Sequence, residues 1–168
     1  MPPLLRPARQ DEIETLRAIE RASARRFVGV MDALAEDEPT PDPVLADRIA
    51  AGGLLTAVVD QILAAFVMFR PVEDSLYIEQ IDVLPAFAGQ RIGARLLDAV
   101  ADEARASGLH ALTLSTFRDV PWNAPWYRRL GFIDIKGDGL TPGLLQIRRE
   151  HLARGLDESA RTFMRRAL

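Results

Sequence analysis

Leu76-Tyr77-Ile78-Glu79-Gln80-Ile81-Asp82-Val83-Leu84-Pro85-Ala86-Phe87-Ala88-Gly89-Gln90-Arg91-Ile92-Gly93-Ala94-Arg95-Leu96-Leu97 is the stretch on which the fold turns. Its first eight residues are apolar and β-branched enough to read as a strand over 76–83. Leu96, Leu97, Val100, Ala101 and Ala104 then recur at helical spacing, and Gly108 stands where a helix stops, which predicts a helix over 93–107. A strand passing through a glycine-containing turn directly into a helix is anion-binding geometry. The free N–H groups of the first turn and the helix dipole suit a pyrophosphate, and Gly89 and Gly93 carry no side chain to block its approach. Two glycines four residues apart also fit an ordinary strand-to-helix turn, so the rest of the chain has to decide.

Working outward, Asp11 and Glu14 form a capping-box signal for a first helix beginning near Asp11, with Ile13, Leu16, Glu20 and Phe27 at helical spacing. Asp32, Glu36, Asp37, Glu38 and Asp42, mixed with prolines, read as an acidic loop over 32–43. A short helix is expected over 43–51, then strands over 54–59 and 62–69 that precede the quoted strand. After the central helix come a buried strand over 109–117, a helix over 125–130, a strand over 132–135, a helix over 142–154 and a last strand over 161–166. Strands that meander before a strand–helix–strand crossover imply a mixed sheet. Where such a sheet changes direction it can open, and an elongated ligand can pair its amides with the free strand edge.

The 168 residues suit a single domain over 1–168. Hydrophobic residues are 48% and charged residues 27%, the balance of an ordinary globular protein. A formal net charge of -3 without a Lys/Arg run gives no reason to expect nucleic acid or an anionic membrane as partner. Zero cysteines exclude disulfides, thiolate nucleophiles and cysteine-ligated metals. His110 and His151 are not at metal-ligand spacing with carboxylates, so no metal is expected. No signal-peptide pattern or bilayer-length apolar run is present, and a cytoplasmic protein is the expectation. There is no Gly-x-Ser-x-Gly elbow, phosphate loop or complete dinucleotide fingerprint, which sets aside hydrolase and kinase chemistry.

The segment from Val83 to Leu97 resembles the acetyl-CoA-binding segment of the GNAT superfamily of N-acetyltransferases. Asn123-Ala124-Pro125-Trp126-Tyr127-Arg128-Arg129-Leu130-Gly131-Phe132 is similar to the family's tyrosine-bearing helix followed by Gly-Phe, and Leu5-Arg6-Pro7-Ala8 to its opening. The likeness covers nearly the whole chain. It implies an α/β (α+β) fold with a mixed, mostly antiparallel sheet flanked by helices and splayed between the strands ending near Val83 and Phe117. It also implies transfer of the acetyl group of acetyl-CoA to a primary amine, with a small molecule as acceptor. The alternatives are a protein N-terminal or lysine acetyltransferase and a non-catalytic acyl-CoA-binding module. One departure stands out, since Ala88 and Arg91 occupy the places of the family's Arg/Gln and first Gly. A register starting at Gln90 would restore the Gln but put Arg95 at the last small position, so the first register is preferred. If position 91 requires positive φ, Arg91 is strained; if not, its guanidinium can contact the pyrophosphate, and the second case is preferred.

The resemblance further implies that the backbone of Ile81, Asp82 and Val83 meets the pantetheine arm. Ala88, Gly89, Gln90, Arg91, Ile92, Gly93 and Ala94 would hold the pyrophosphate. Tyr127 would be the general acid near the cofactor sulfur; from spacing alone it is a core aromatic. Asn123, one turn before it, could bond the cofactor or cap the helix. An amine arrives protonated and needs a base. Glu79, sharing a strand face with Tyr77, Ile81 and Val83, is the first choice, acting through water. Glu20 and Asp82 are further candidates for substrate contact, and for all three carboxylates the competing role is an ion pair with an arginine. The acidic stretch 32–42 suggests a cationic acceptor, and the arginines of 161–166 are expected to be exposed or at a homodimer contact.

Overall fold

A computed structural model describes residues 2–168. Seven strands form one sheet in the order β1-β2-β3-β4-β5-β7-β6, where β1 is Leu4–Pro7, β2 Leu54–Val59, β3 Ile62–Val72, β4 Ser75–Val83, β5 Ala111–Phe117, β6 Ile133–Ile135 and β7 Arg161–Ala167. Neighbours β1–β2, β2–β3, β5–β7 and β6–β7 run antiparallel, and β4–β5 run parallel. The parallel ladder extends from Ser75↔Ala111 to Ile78↔Leu114. Beyond it β4 continues to Val83 and β5 to Phe117, so their C-terminal parts are not paired with each other. The mixed, mostly antiparallel sheet with helices is the fold expected from the sequence.

The helices are α1 Ile13–Ala24, α2 Asp32–Ala35, α3 Asp42–Ala50, α4 Ile92–Ala106, α5 Ala124–Arg129 and α6 Pro142–Ala153. Three elements differ from expectation. β1 was not foreseen, because only four residues pair with β2 and its end residues are exposed. The first helix is entered through a single 3₁₀ turn, Gln10–Glu12. There Glu12, held by Arg6 at 2.7 Å, accepts the Arg9 N–H at 2.8 Å in place of the expected Asp11–Glu14 box. Within the acidic loop, α2 forms, and Asp32 accepts the Gly29 N–H at 2.6 Å.

The chain comprises two compact units, Met1–Phe69 with Gln80–Ala99 and Arg70–Glu79 with Val100–Leu168. In the first, Leu16 and Ile19 of α1, Leu45 of α3, Leu54 of β2, and Phe66 and Met68 of β3 share a core. Gly53, before β2, is dictated by space, since a Cβ there would lie 2.3 Å from the Phe69 carbonyl oxygen. In the second, Val72, Tyr77, Leu144, Ile147 and Phe163 make a separate core. A fully buried side chain of this kind contributes about 1.5–3 kcal/mol. Among the described residues no helix is long and apolar enough to cross a membrane.

Candidate active site

In the first unit β4 leaves the sheet at Leu84, whose N–H is bonded to the Ala64 carbonyl at 2.8 Å. A single turn, Pro85–Phe87, follows, and the Ala88 N–H closes it on the Pro85 carbonyl at 3.2 Å. Gly89 then adopts φ +76° and Arg91 φ +62° before α4 begins at Ile92. A Cβ at Gly89 would meet nothing within 4 Å, so glycine is needed there for conformation and not for space. The Arg95 N–H bonds the Arg91 carbonyl at 3.1 Å. Helix geometry therefore leaves the N–H groups of Ile92, Gly93 and Ala94 without acceptors inside α4. Fifteen residues of aligned dipole stand behind them. This is a cradle for an anion.

Arg91 corrects one expectation. The left-handed conformation is required at this position, so the strained alternative holds, at a cost of about 1–2 kcal/mol for a residue with a Cβ. A position that demands positive φ is where a glycine would serve, which agrees with the preferred register. The guanidinium is exposed and available to solvent.

The same unit holds two carboxylates that burial makes weak acids. Asp82 is 9% exposed, and burial pushes its carboxyl up to about 7 although hydrogen bonds from Gln80 and Ser23 oppose the shift. The Gln80 Nε2 donates to it at 2.6 Å. Glu20 is also raised by burial, against hydrogen bonds from the Thr40 N–H and hydroxyl at 3.0 and 3.1 Å. The Glu20 charge adds to the upward shift at Asp82, and the Asp37 charge to that at Glu20. No arginine is within ion-pair distance of either group among the described contacts: Gln80 and Ser23 donate to Asp82, and the Thr40 N–H and hydroxyl to Glu20, with the Arg17 charge acting on Glu20 from farther away.

In the second unit Glu79 has its arginine. The Arg70 Nε lies 3.4 Å from its carboxylate, and the Arg70 Nη2 lies 3.9 Å from Glu150 of α6. Arg70 also sits 5.9 Å above the Tyr77 ring. Glu79 remains partly accessible, with its side chain 17% exposed. Tyr77 is buried, and that burial raises its hydroxyl pKa. Tyr127 is 7% exposed on α5 and packs edge-on against Trp126 and Phe132, with centroids 4.9 and 5.6 Å away. Asn123 occupies the position before α5, but its side chain makes no capping bond: its Nδ2 donates to the Trp122 carbonyl at 3.1 Å. Its carbonyl, by contrast, accepts the Tyr127 N–H at 3.0 Å.

Arg161 was expected at the surface and is instead drawn inward. Its Nε and Nη2 donate to the Ser115 hydroxyl and carbonyl, both at 3.1 Å, and its guanidinium lies 4.8 Å from the Phe117 ring. Burial lowers its pKa, while Tyr77, Glu158 and Tyr127 pull the other way. Strand pairing of β7 beside β5 places it there, and nothing local in the sequence marks that pairing. Arg165 pairs with Asp74 at 3.0 Å.

The acetyltransferase (GNAT) family profile matches residues 14–132, well over half of the chain. A 57-residue stretch is 42% identical to an IAA acetyltransferase of Azospirillum brasilense, covering 34% of this chain and 37% of that protein. The matched part thus spans little more than a third of that relative. The fold is similar to that of the PaiA N-acetyltransferase of Thermoplasma acidophilum, solved in complex with coenzyme A, with TM-score 0.75, 17% identity and 100% of both chains covered. It is also similar to the ribosomal-protein-S18-alanine N-acetyltransferase of Escherichia coli, with TM-score 0.65, 17% identity, and 98% of this chain and 93% of that one covered. A strand-turn-helix anion cradle, a tyrosine helix closed by Gly-Phe and a mixed seven-stranded sheet accompany these matches, and the chain belongs to the GNAT acetyltransferase family.

Proposed function

We propose that this protein transfers the acetyl group of acetyl-CoA directly to the primary amine of a small molecule. The observation that carries the proposal is the turn of residues 88–94, with left-handed residues at 89 and 91 and the N-terminus of α4 behind it. Its backbone N–H groups would take the pyrophosphate, and the end of β4 beyond its ladder with β5, Ile81 to Val83, would offer amide groups to the pantetheine arm. The related Thermoplasma acidophilum enzyme was solved with coenzyme A, which supports the same donor here.

Direct transfer needs an unprotonated amine, a polarised carbonyl and a proton donor for the departing thiolate. Tyr127 would give its phenolic proton to the sulfur. Glu79 would draw a proton from the incoming ammonium through water, with Arg70 orienting its carboxylate. A second reading of the base is favoured by one observation: the Asp82 carboxyl is pushed up to about 7, and a base works best when its pKa lies near the working pH. Within the acidic stretch that suggests a cationic acceptor, Asp32 accepts the Gly29 N–H at 2.6 Å and Asp42 pairs with Arg17 at 3.3 Å, so of these two only Asp42 already has a cationic partner.

The test is thiol release from acetyl-CoA against a panel of small amines, N-terminal peptides and lysine peptides. Release that depends on a small amine, saturating with micromolar to millimolar acetyl-CoA, is the expected result. Release with peptides alone would move the acceptor to protein. Tight acetyl-CoA binding with no amine-dependent release would leave a binding module and refute transfer.

A further inference from the structure

The second unit carries an open cleft of about 390 Å³ that the transfer chemistry above does not use, and Arg118, Arg148, Glu158, Arg161 and Phe163 line it together with Ile135. Three guanidinium groups meet one carboxylate there. That carboxylate is already engaged, because Glu158 lies 2.6 Å from the His151 Nδ1 and 3.8 Å from the Arg161 Nε. Arg118 donates to the Ser159 and Arg161 carbonyls, both at 2.8 Å. Those bonds fix its position without cancelling its charge. The Arg148 side chain, exposed on α6, has no hydrogen-bond or ion-pair partner among the described residues. Phe163, 5% exposed, supplies an apolar wall.

Arginine stays charged even when burial lowers its pKa, so the cleft keeps an excess of positive charge beside apolar surface. A planar fork of donors with no carboxylate opposite it matches a carboxylate ligand. The cleft also adjoins the end of β5, since the Arg161 guanidinium lies 4.8 Å from the ring of Phe117, the last residue of that strand. We infer that this cleft holds the carboxylate of the acceptor, making the acceptor an amine that carries a carboxylate on an apolar skeleton. The acceptor assignment rests on the transfer reaction proposed above, whereas carboxylate binding by the cleft does not.

Two arms keep these apart. Benzoate and benzamide are titrated by NMR into the full chain and into Arg148→Ala, a surface change that leaves the fold intact. Benzoate should bind and benzamide should not. Arg148→Ala should weaken benzoate about tenfold, the loss expected for one charge-assisted hydrogen bond. Equal binding of the two probes, or unchanged benzoate affinity in Arg148→Ala, overturns the carboxylate site. In the second arm, phenylalanine and phenylalaninamide are compared as acceptors by thiol release. Arg148→Ala should raise KM for phenylalanine about tenfold at constant kcat and leave the amide unaffected. A preference for the amide, or an equal loss for both, overturns the acceptor assignment. Benzoate binding without thiol release from any amine would overturn it too, by refuting the transfer reaction, and would leave the carboxylate site supported.

Discussion

Two sets of carboxylates, one from each unit, are held in opposite ways. In Met1–Phe69 with Gln80–Ala99, Asp82 and Glu20 are buried among neutral donors, and burial makes both weaker acids. In Arg70–Glu79 with Val100–Leu168, Glu79 is set against Arg70, Asp74 against Arg165, and Glu158 against His151 and Arg161. Desolvation governs the first set and ion pairing the second. The lesson is that a chain can hold two kinds of candidate base at once, one buried among neutral donors and the other paired with an arginine and partly accessible. Which kind serves the reaction is open to mutation.

The largest effect belongs to the acid. Tyr127→Phe keeps the ring contacts with Trp126 and Phe132 and removes only the hydroxyl. It should lower kcat by about 10²–10⁴-fold while acetyl-CoA affinity, read by calorimetry, stays within about twofold. Next come the carboxylates, as the direct way to break the comparison. If Glu79 is the base, Glu79→Gln should cost about 10²-fold in kcat/KM and Asp82→Asn far less. The reverse order, with a limb of the pH–rate profile near 7 abolished in Asp82→Asn, would pass the role to the first unit.

A smaller effect sharpens the desolvation argument itself. The Asp82 carboxyl titrates at about 7 in the folded chain and at about 3.9 when unfolded. The folded state therefore binds the proton more tightly, and unfolding releases it between those values. Its stabilising contribution is fully present below about pH 4 and lost as pH rises through about 7. Denaturant midpoints should fall over that window, and Asp82→Asn should flatten the trend. Glu12 gives the opposite slope in the same unit, because Arg6 lowers its carboxyl to about 2. Its contribution is lost as pH falls from above 4 toward 2, and Glu12→Gln should remove that loss.

The smallest effect concerns the turn. Arg91→Gly removes the cost of φ +62° and should raise stability by up to about 1 kcal/mol, read as a higher denaturant midpoint. If the exposed guanidinium also meets phosphate, coenzyme A affinity should drop several-fold. Unchanged affinity would assign phosphate binding to the backbone alone.

The cradle was legible because its parts are contiguous: β4, Gly89 and the periodic apolar face of α4 follow one another in 76–106, and Asn123 to Phe132 form a second contiguous motif. The order of the middle strands was legible for the same reason. What sequence could not show depended on distant partners. β7 enters between β5 and β6, and that placement, not any local pattern, turns Arg161 inward and builds the basic cleft. β1 was too short to register, and at Arg91 the family's glycine left a left-handed backbone open, but an arginine in that place favoured the unstrained alternative. The ion pair at Glu79 was foreseen as a possibility, but its partner on β3 was not, because strand register had to bring Arg70 beside it.

In the proposed reaction acetyl passes straight from coenzyme A to the amine. Zero cysteines leave no thiol to carry it. Initial rates of thiol release measured over a grid of acetyl-CoA and amine concentrations decide the point. Direct transfer predicts double-reciprocal lines that intersect, and parallel lines, the mark of a covalent acetyl-enzyme, would contradict it.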